Sequence, residues 1–111
     1  MVVRWLINLM GLDIFWEDEN GEIIEECPSL YNPWRYINDI QELDKTCCLK
    51  FIDEYGDTTF NQYQIPVLIE ELESLLPRSK DSEARESLES LLTFVRKAEN
   101  KVHTYIKFYG D

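Results

Sequence analysis

A short design occurs twice in this chain: a lysine-phenylalanine pair in an apolar stretch that ends in tyrosine, glycine and aspartate. The first copy lies in residues 47–61, CCLKFIDEYGDTTFN, and the second in residues 105–111, YIKFYGD. Residues 48–52 are rich in strand-forming types, whereas Asp53, Gly56 and Asp57 have the chemistry of a turn. Two matched strands that end in polar turns predict one sheet with a polar rim, which is where functional sites usually lie.

Further strands are predicted on both sides of this segment. Residues 2–9 are mostly apolar and predict a first strand, with Gly11 as a break after it. The Asn20-Gly21 pair lies between the apolar segments 12–16 and 22–24, which is the pattern of a β-hairpin. The last strand carries Ile106 and Phe108, so we expect it to pair in the interior of the sheet.

Three segments have the apolar period of amphipathic helices. The first begins at Asn32-Pro33 and runs to residues 45–46, the second begins at Pro66, and the third covers residues 84–100. We therefore predict a single α+β domain over residues 1–111. It should contain an antiparallel or mixed sheet of about four strands (N-terminal hairpin, central strand and C-terminal strand) with three helices packed on it; the strand order does not follow from the sequence.

The charge of the chain restricts the class of partner. Among 111 residues there are 22 acidic and 11 basic side chains, which makes the formal net charge -11. This charge disfavours nucleic acid and anionic membrane as partners and favours a basic protein or peptide. A surface that only keeps the protein in solution would have the same charge, so the charge alone names no partner.

The cysteines and the hydropathy predict a cytoplasmic protein. Three cysteines, two of them adjacent, are a poor basis for disulfide bonds, and no segment has the length of a membrane span or a signal-peptide cleavage pattern. One histidine cannot complete a zinc-binding array, and the oxygen-bearing residues from Asp53 to Asn61 match a calcium loop only in part. We therefore predict no metal and no cofactor.

The segment YGDTTFNQYQIPVLIEELESLL, together with the closing HTYIKFYGD, carries a resemblance to other proteins. In roughly the last half of the chain, this YGDTxFN…HxYxKFxGD pattern resembles small uncharacterised bacterial proteins of about this length. The resemblance implies a bacterial source. It implies no activity, cofactor or site residue.

Two interpretations of the polar residues lead to different functions. His103 could act as a general base beside Asp53 or Asp57, and a small hydrolase or metal-dependent enzyme would require these three to converge in a pocket. Alternatively, the clustered acids and the 14 aromatic residues favour protein binding, because aromatic anchors on an acidic surface are typical of interfaces. The candidate partner-binding residues are Glu70, Glu71, Glu73, Trp34, Tyr55, Asp57 and Asn61.

The leading hypothesis is a non-enzymatic protein that captures a basic partner, as a toxin-neutralising immunity protein or a nucleic-acid mimic would. We expect Glu70, Glu71 and Glu73 to face away from the leucine stripe of their helix, so that replacing them should leave folding nearly unchanged. The alternatives are the enzyme above and a homo-oligomeric structural or regulatory protein that associates through its aromatic residues.

Overall fold

The computed structural model describes residues 12–28, 34–37 and 42–110. Four strands form one antiparallel sheet in the order β2-β1-β4-β3. Their bounds are Asp13–Asp18 (β1), Ile23–Glu26 (β2), Asp57–Phe60 (β3) and Thr104–Tyr109 (β4). The C-terminal strand β4 is central, as the sequence predicts, whereas the strand predicted at residues 2–9 lies outside the described residues.

The β1-β2 hairpin turns at the predicted Asn-Gly pair. The Asp18 carboxylate accepts hydrogen bonds from the backbone N–H groups of Asn20 (2.8 Å) and Glu22 (2.9 Å), and Gly21 adopts a positive φ of 81°. That conformation is accessible to glycine without steric cost. The register shifts by one residue between Trp16 and Glu17, so Ile24 is the extra residue of a β-bulge on β2.

The prediction of a central strand at residues 48–52 is wrong, because Leu49–Phe51 form a 3₁₀ turn. The strand of this segment lies instead at Asp57–Phe60, where the sequence predicts a turn. Burial explains the difference. Cys48, Leu49 and Ile52 are buried while Lys50 and Phe51 are exposed, which is a helical period and not the alternation of a strand. In β3 the alternation is clean, with Asp57 and Thr59 exposed and Thr58 and Phe60 buried.

The described residues contain two long helices and not the predicted three. The predicted first helix is represented by the single turn α1, Trp34–Ile37, and by a separate 3₁₀ turn, Leu43–Lys45. A helix cannot run through to residue 45, because Glu42 has a left-handed φ of 70°. Residues 38–41, like the predicted cap at Asn32-Pro33, lie outside the described part of the chain.

The two long helices are α2, Ile65–Leu75, and α3, Ser82–Lys97. Pro66 lies in the first turn of α2, as predicted, and the Asp81 carboxylate caps α3 by accepting the Ala84 N–H at 2.8 Å. Within 12–28, 34–37 and 42–110, no helix combines the length and the apolar character needed to cross a membrane.

One face of the sheet packs on these helices. Ile14, Phe60, Ile106 and Phe108 belong to the same buried cluster as the apolar stripes of α2 and α3. Alternate residues of the strands, among them Phe15, Glu17, Lys107 and Tyr109, project from the opposite face. The sheet therefore has one apolar side and one side that carries polar groups.

Candidate functional site

The three residues proposed for catalysis do not converge. Asp57 pairs with Tyr109 at one end of β4, whereas His103 precedes Thr104 at the other end. Six strand residues separate these ends, which is about 20 Å at a rise of about 3.4 Å per residue. The imidazole Nδ1 of His103 lies 3.3 Å from the carboxylate of Glu19, and both side chains are exposed.

Asp53 has a local structural role. Its carboxylate accepts the backbone N–H of Tyr55 at 2.9 Å, and its own N–H donates to the hydroxyl of Thr58 at 3.1 Å. These bonds shape the turn before β3. The general-base geometry with His103 that the enzyme hypothesis needs is absent among these described residues.

The candidate partner-binding residues fall into separate places. Tyr55 and Asp57 lie at the start of β3, but Asn61 lies at its far end, where the Asn61 carboxamide oxygen accepts the N–H groups of Tyr63 (2.9 Å) and Gln64 (3.0 Å). Asn61 therefore shapes the entry to α2. Trp34 lies in α1, and its side chain is outside what the structure describes.

The three glutamates of α2 differ from one another. Glu70 is exposed, and Glu73 is exposed and bonds to Arg96 at 2.7 Å. Glu71 is half-buried, and its carboxylate accepts the backbone N–H groups of Cys47, Cys48 (3.1 Å) and Leu49 (3.0 Å). Glu71 thus holds the N-terminus of the 3₁₀ turn, and the expectation that its replacement leaves folding unchanged is not compatible with these contacts.

Exposed aromatic side chains mark the segment 51–57, which we call the aromatic loop. Phe51 is 63% exposed and Tyr55 is 77% exposed. The loop also carries the acids Asp53, Glu54 and Asp57. Two large aromatic surfaces among three carboxylates are the composition expected of a protein-binding site.

Hydrogen bonds from three directions hold the aromatic loop. The Thr58 hydroxyl donates to the Phe51 carbonyl (3.2 Å) while accepting the Asp53 N–H, which ties the two ends of the turn together. The Gly110 N–H donates to the Gly56 carbonyl at 2.7 Å. Before residue 51, the chain is held by the Glu71 carboxylate.

Gly56-Asp57 of the first Tyr-Gly-Asp copy and Tyr109-Gly110 of the second meet at this loop. Asp57 pairs with Tyr109, and Gly56 lies beside Gly110. A β-carbon at Gly110 would lie 2.5 Å from the Glu54 backbone, so only glycine permits this close approach. The repeated motif therefore marks two neighbouring strand ends that support one loop.

A buried polar cluster that the sequence analysis missed lies on β1 and β4. Glu17 is 2% exposed, accepts a hydrogen bond from the Tyr109 hydroxyl, and lies 3.5 Å from the ammonium group of Lys107. Burial, together with the bond to Glu17, raises the pKa of Tyr109 above its usual value. Burial alone would lower the pKa of Lys107, but the negative charge of Glu17 leaves it raised.

The period-two alternation of Phe15 and Glu17 is the signal that could have revealed this cluster. It was hidden because the sequence analysis ended the apolar segment at residue 16, whereas β1 continues through Glu17 to Asp18. Tyr109 is opposite Asp57, so one member of the cluster lies at the strand end that supports the aromatic loop, whereas Glu17 is opposite Tyr105, further along β4.

The thiols and the remaining acids show no converging chemistry. Burial raises the pKa of Cys48 to about 11 and that of Cys27 to about 12, so both remain thiols at neutral pH. Across residues 12–28, 34–37 and 42–110, no three histidine, cysteine, aspartate or glutamate side chains are grouped so that they could hold a metal ion.

A shallow groove of about 350 Å³ runs between α3 and Pro28. The Ser90 hydroxyl bonds to the Pro28 carbonyl at 2.9 Å, and two of its charged residues already form ion pairs, Glu89 with Arg85 and Lys97 with Glu25. The aromatic loop is therefore the better candidate for a functional site.

Neither protein-family models nor curated proteins nor solved structures give a match to this chain.

Proposed function

We propose that this protein is a non-enzymatic binding protein that captures a basic partner protein through its aromatic loop. The observation that carries the proposal is the exposure of Phe51 and Tyr55 on a loop that hydrogen bonds hold from three directions. A loop that is already ordered loses little conformational entropy when it binds. Exposed aromatic side chains on such a loop supply contact area at low cost.

Charge supports a basic partner. The loop carries three carboxylates, and the whole chain has a formal net charge of -11. A lysine or arginine of the partner could pair with Asp57 and lie over the ring of Tyr55. Phe51 already has such a contact within the chain, because the Lys50 ammonium group lies 5.2 Å from its ring centroid. An inhibitor of the immunity type, or a mimic of nucleic acid, would be one form of this function.

The proposal is tested by affinity capture from the native host with the parent protein and with the Phe51→Ala, Tyr55→Ala double variant. A partner that uses the loop should be retained by the parent and lost by the double variant. Its association rate with the parent should fall as salt rises, because exposed charges more than about 8 Å apart are largely screened at physiological salt. The Asp57→Asn variant should bind more slowly and depend less on salt.

Tyr63→Ala is the matched control. Tyr63 is 78% exposed, as Tyr55 is 77% exposed, but it lies beyond the opposite end of β3. Tyr63→Ala and the Phe51→Ala, Tyr55→Ala double variant should both leave the unfolding midpoint unchanged, since they remove exposed side chains. A captured partner that Tyr63→Ala loses and the double variant retains would refute the assignment to the aromatic loop. So would an association rate that does not vary with salt.

A further inference from the structure

The edge strand β3 continues directly from the aromatic loop. Among the described strands, β3 and β2 are the outermost members of the sheet. An edge strand presents unpaired backbone groups, and a partner segment can extend the sheet by pairing with them. The free groups of β3 can be identified from the hydrogen-bond pattern of its ladder with β4.

In an antiparallel ladder, directly opposed residues alternate between bonded and non-bonded pairs. The bond from the Gly110 N–H to the Gly56 carbonyl, together with the pairing of Thr58 with Phe108, assigns Gly56, Thr58 and Phe60 to β4. Asp57 and Thr59 consequently direct their N–H and C=O groups away from the sheet. Both residues are exposed, and neither has a hydrogen bond on that side to any residue the structure describes.

We propose that an extended basic segment of the partner adds to β3 as a fifth strand. The inference rests on the proposed function and specifies the binding mode at the same site. The partner segment would form backbone hydrogen bonds with Asp57 and Thr59, and its basic side chains would lie over the aromatic loop. Charge selects this occupant over a second copy of the chain. Two copies joined along β3 would bring their aromatic loops, each with three carboxylates, to one interface between molecules of the same high negative charge.

The test uses an eight-residue peptide of alternating arginine and valine, and backbone amide exchange measured by NMR on the whole protein. On adding the peptide, the amides of Asp57 and Thr59 should become protected, while those of Thr58 and Phe60, already bonded to β4, should change little. The same peptide with N-methyl groups on alternate residues of its pairing edge should bind about tenfold more weakly or worse, because its charge is retained but its hydrogen bonds are lost.

A variant tests the edge from the other side. Thr59→Pro removes one outward N–H without touching the ladder with β4, and proline is tolerated at such edge positions. Thr59→Pro should weaken the binding of the unmethylated peptide by about tenfold, whereas Thr59→Ala should leave its affinity unchanged. If Thr59→Pro does not fold, the methylated peptide still decides the question with the native protein.

Three outcomes would overturn the fifth-strand proposal: no peptide binding, binding that leaves Asp57 and Thr59 unprotected, or protection that appears with protein concentration alone and so reports a second copy. Binding that Tyr55→Ala abolishes while the edge amides stay unprotected would leave the proposed function standing and reject only the strand pairing. An alternating glutamate-valine peptide that binds equally well would reject the basic character of the segment.

Discussion

The two copies of the Lys-Phe pair in the repeated motif adopt different secondary structures and differ in burial. Lys50 and Phe51 lie in a 3₁₀ turn with Phe51 63% exposed, whereas Lys107 and Phe108 lie in the central strand β4 with Phe108 1% exposed. The two copies are identical over the dipeptide and similar around it. Local preference therefore cannot be what separates them.

The difference lies in where the backbone groups find partners. Strand β4 has β1 on one side and β3 on the other, so its N–H groups are bonded within the sheet. The 47–49 segment instead has three N–H groups bonded to the Glu71 carboxylate, which lies 22 or more residues away in sequence. A half-buried acceptor from a distant helix competes with strand pairing, and it stabilises a turn where propensity favours a strand.

The largest expected effect tests the two phenylalanines directly. Phe108→Ala should lower the free energy of unfolding by about 3–5 kcal/mol, because it leaves a cavity beside Phe60, whose ring packs edge-on against it. Phe51→Ala should change it by less than about 0.5 kcal/mol, since the side chain is exposed. Urea unfolding of both variants measures the difference. Equal losses of stability would show that the assignment of their environments is wrong.

An intermediate effect is expected at the acceptor that makes the turn. Glu71→Ala should lower the free energy of unfolding by about 2–3 kcal/mol, because three backbone N–H groups lose a charged acceptor. Glu70→Ala, one residue away and exposed, is the control and should be nearly neutral. Hydrogen exchange should show the loss of protection concentrated at residues 47–49. If Glu71→Ala were as stable as Glu70→Ala, another cause for the turn would have to be found.

The smallest effect concerns the strand copy and its dependence on pH. Tyr109→Phe should lower the free energy of unfolding by about 1–2 kcal/mol, because the buried Glu17 carboxylate loses a hydroxyl donor. The folded protein raises the pKa of Tyr109 above its ordinary value of about 10. Its contribution is therefore fully present below about pH 10 and is lost as pH rises through the folded pKa.

Above about pH 10, the parent should accordingly lose stability more steeply than Tyr109→Phe. Lys107, whose pKa is also raised, adds alkaline sensitivity in the same direction in both proteins. Tyr55→Phe is the matched control, since it removes a tyrosine hydroxyl from an exposed side chain. Parallel pH profiles for the parent and Tyr109→Phe would contradict the proposed bond to Glu17.

Elements with strong local signals followed from the sequence alone. The Asn20-Gly21 turn, the Pro66 signal in the first turn of α2 and the long apolar period of α3 depend on residues within one turn of each other, so no distant contact was needed to predict them. The α+β class and the central position of the C-terminal strand followed from the same patterns. At the candidate site, Tyr55 and Asp57 stay predicted partner-binding residues, and both lie in the segment 51–57 that we call the aromatic loop.

Only the tertiary structure decided the rest. Residues 48–52 become a turn because Glu71 supplies acceptors from α2, and Glu17 becomes a buried carboxylate because Tyr109 and Lys107 of β4 lie beside it. The length of β4 likewise separates His103 from Asp57, although both are polar residues at strand ends. Each of these outcomes depends on contacts between groups that are far apart in the sequence. The free energy of a buried polar group is set by the hydrogen bonds and charges of those long-range contacts more than by its neighbours in the chain.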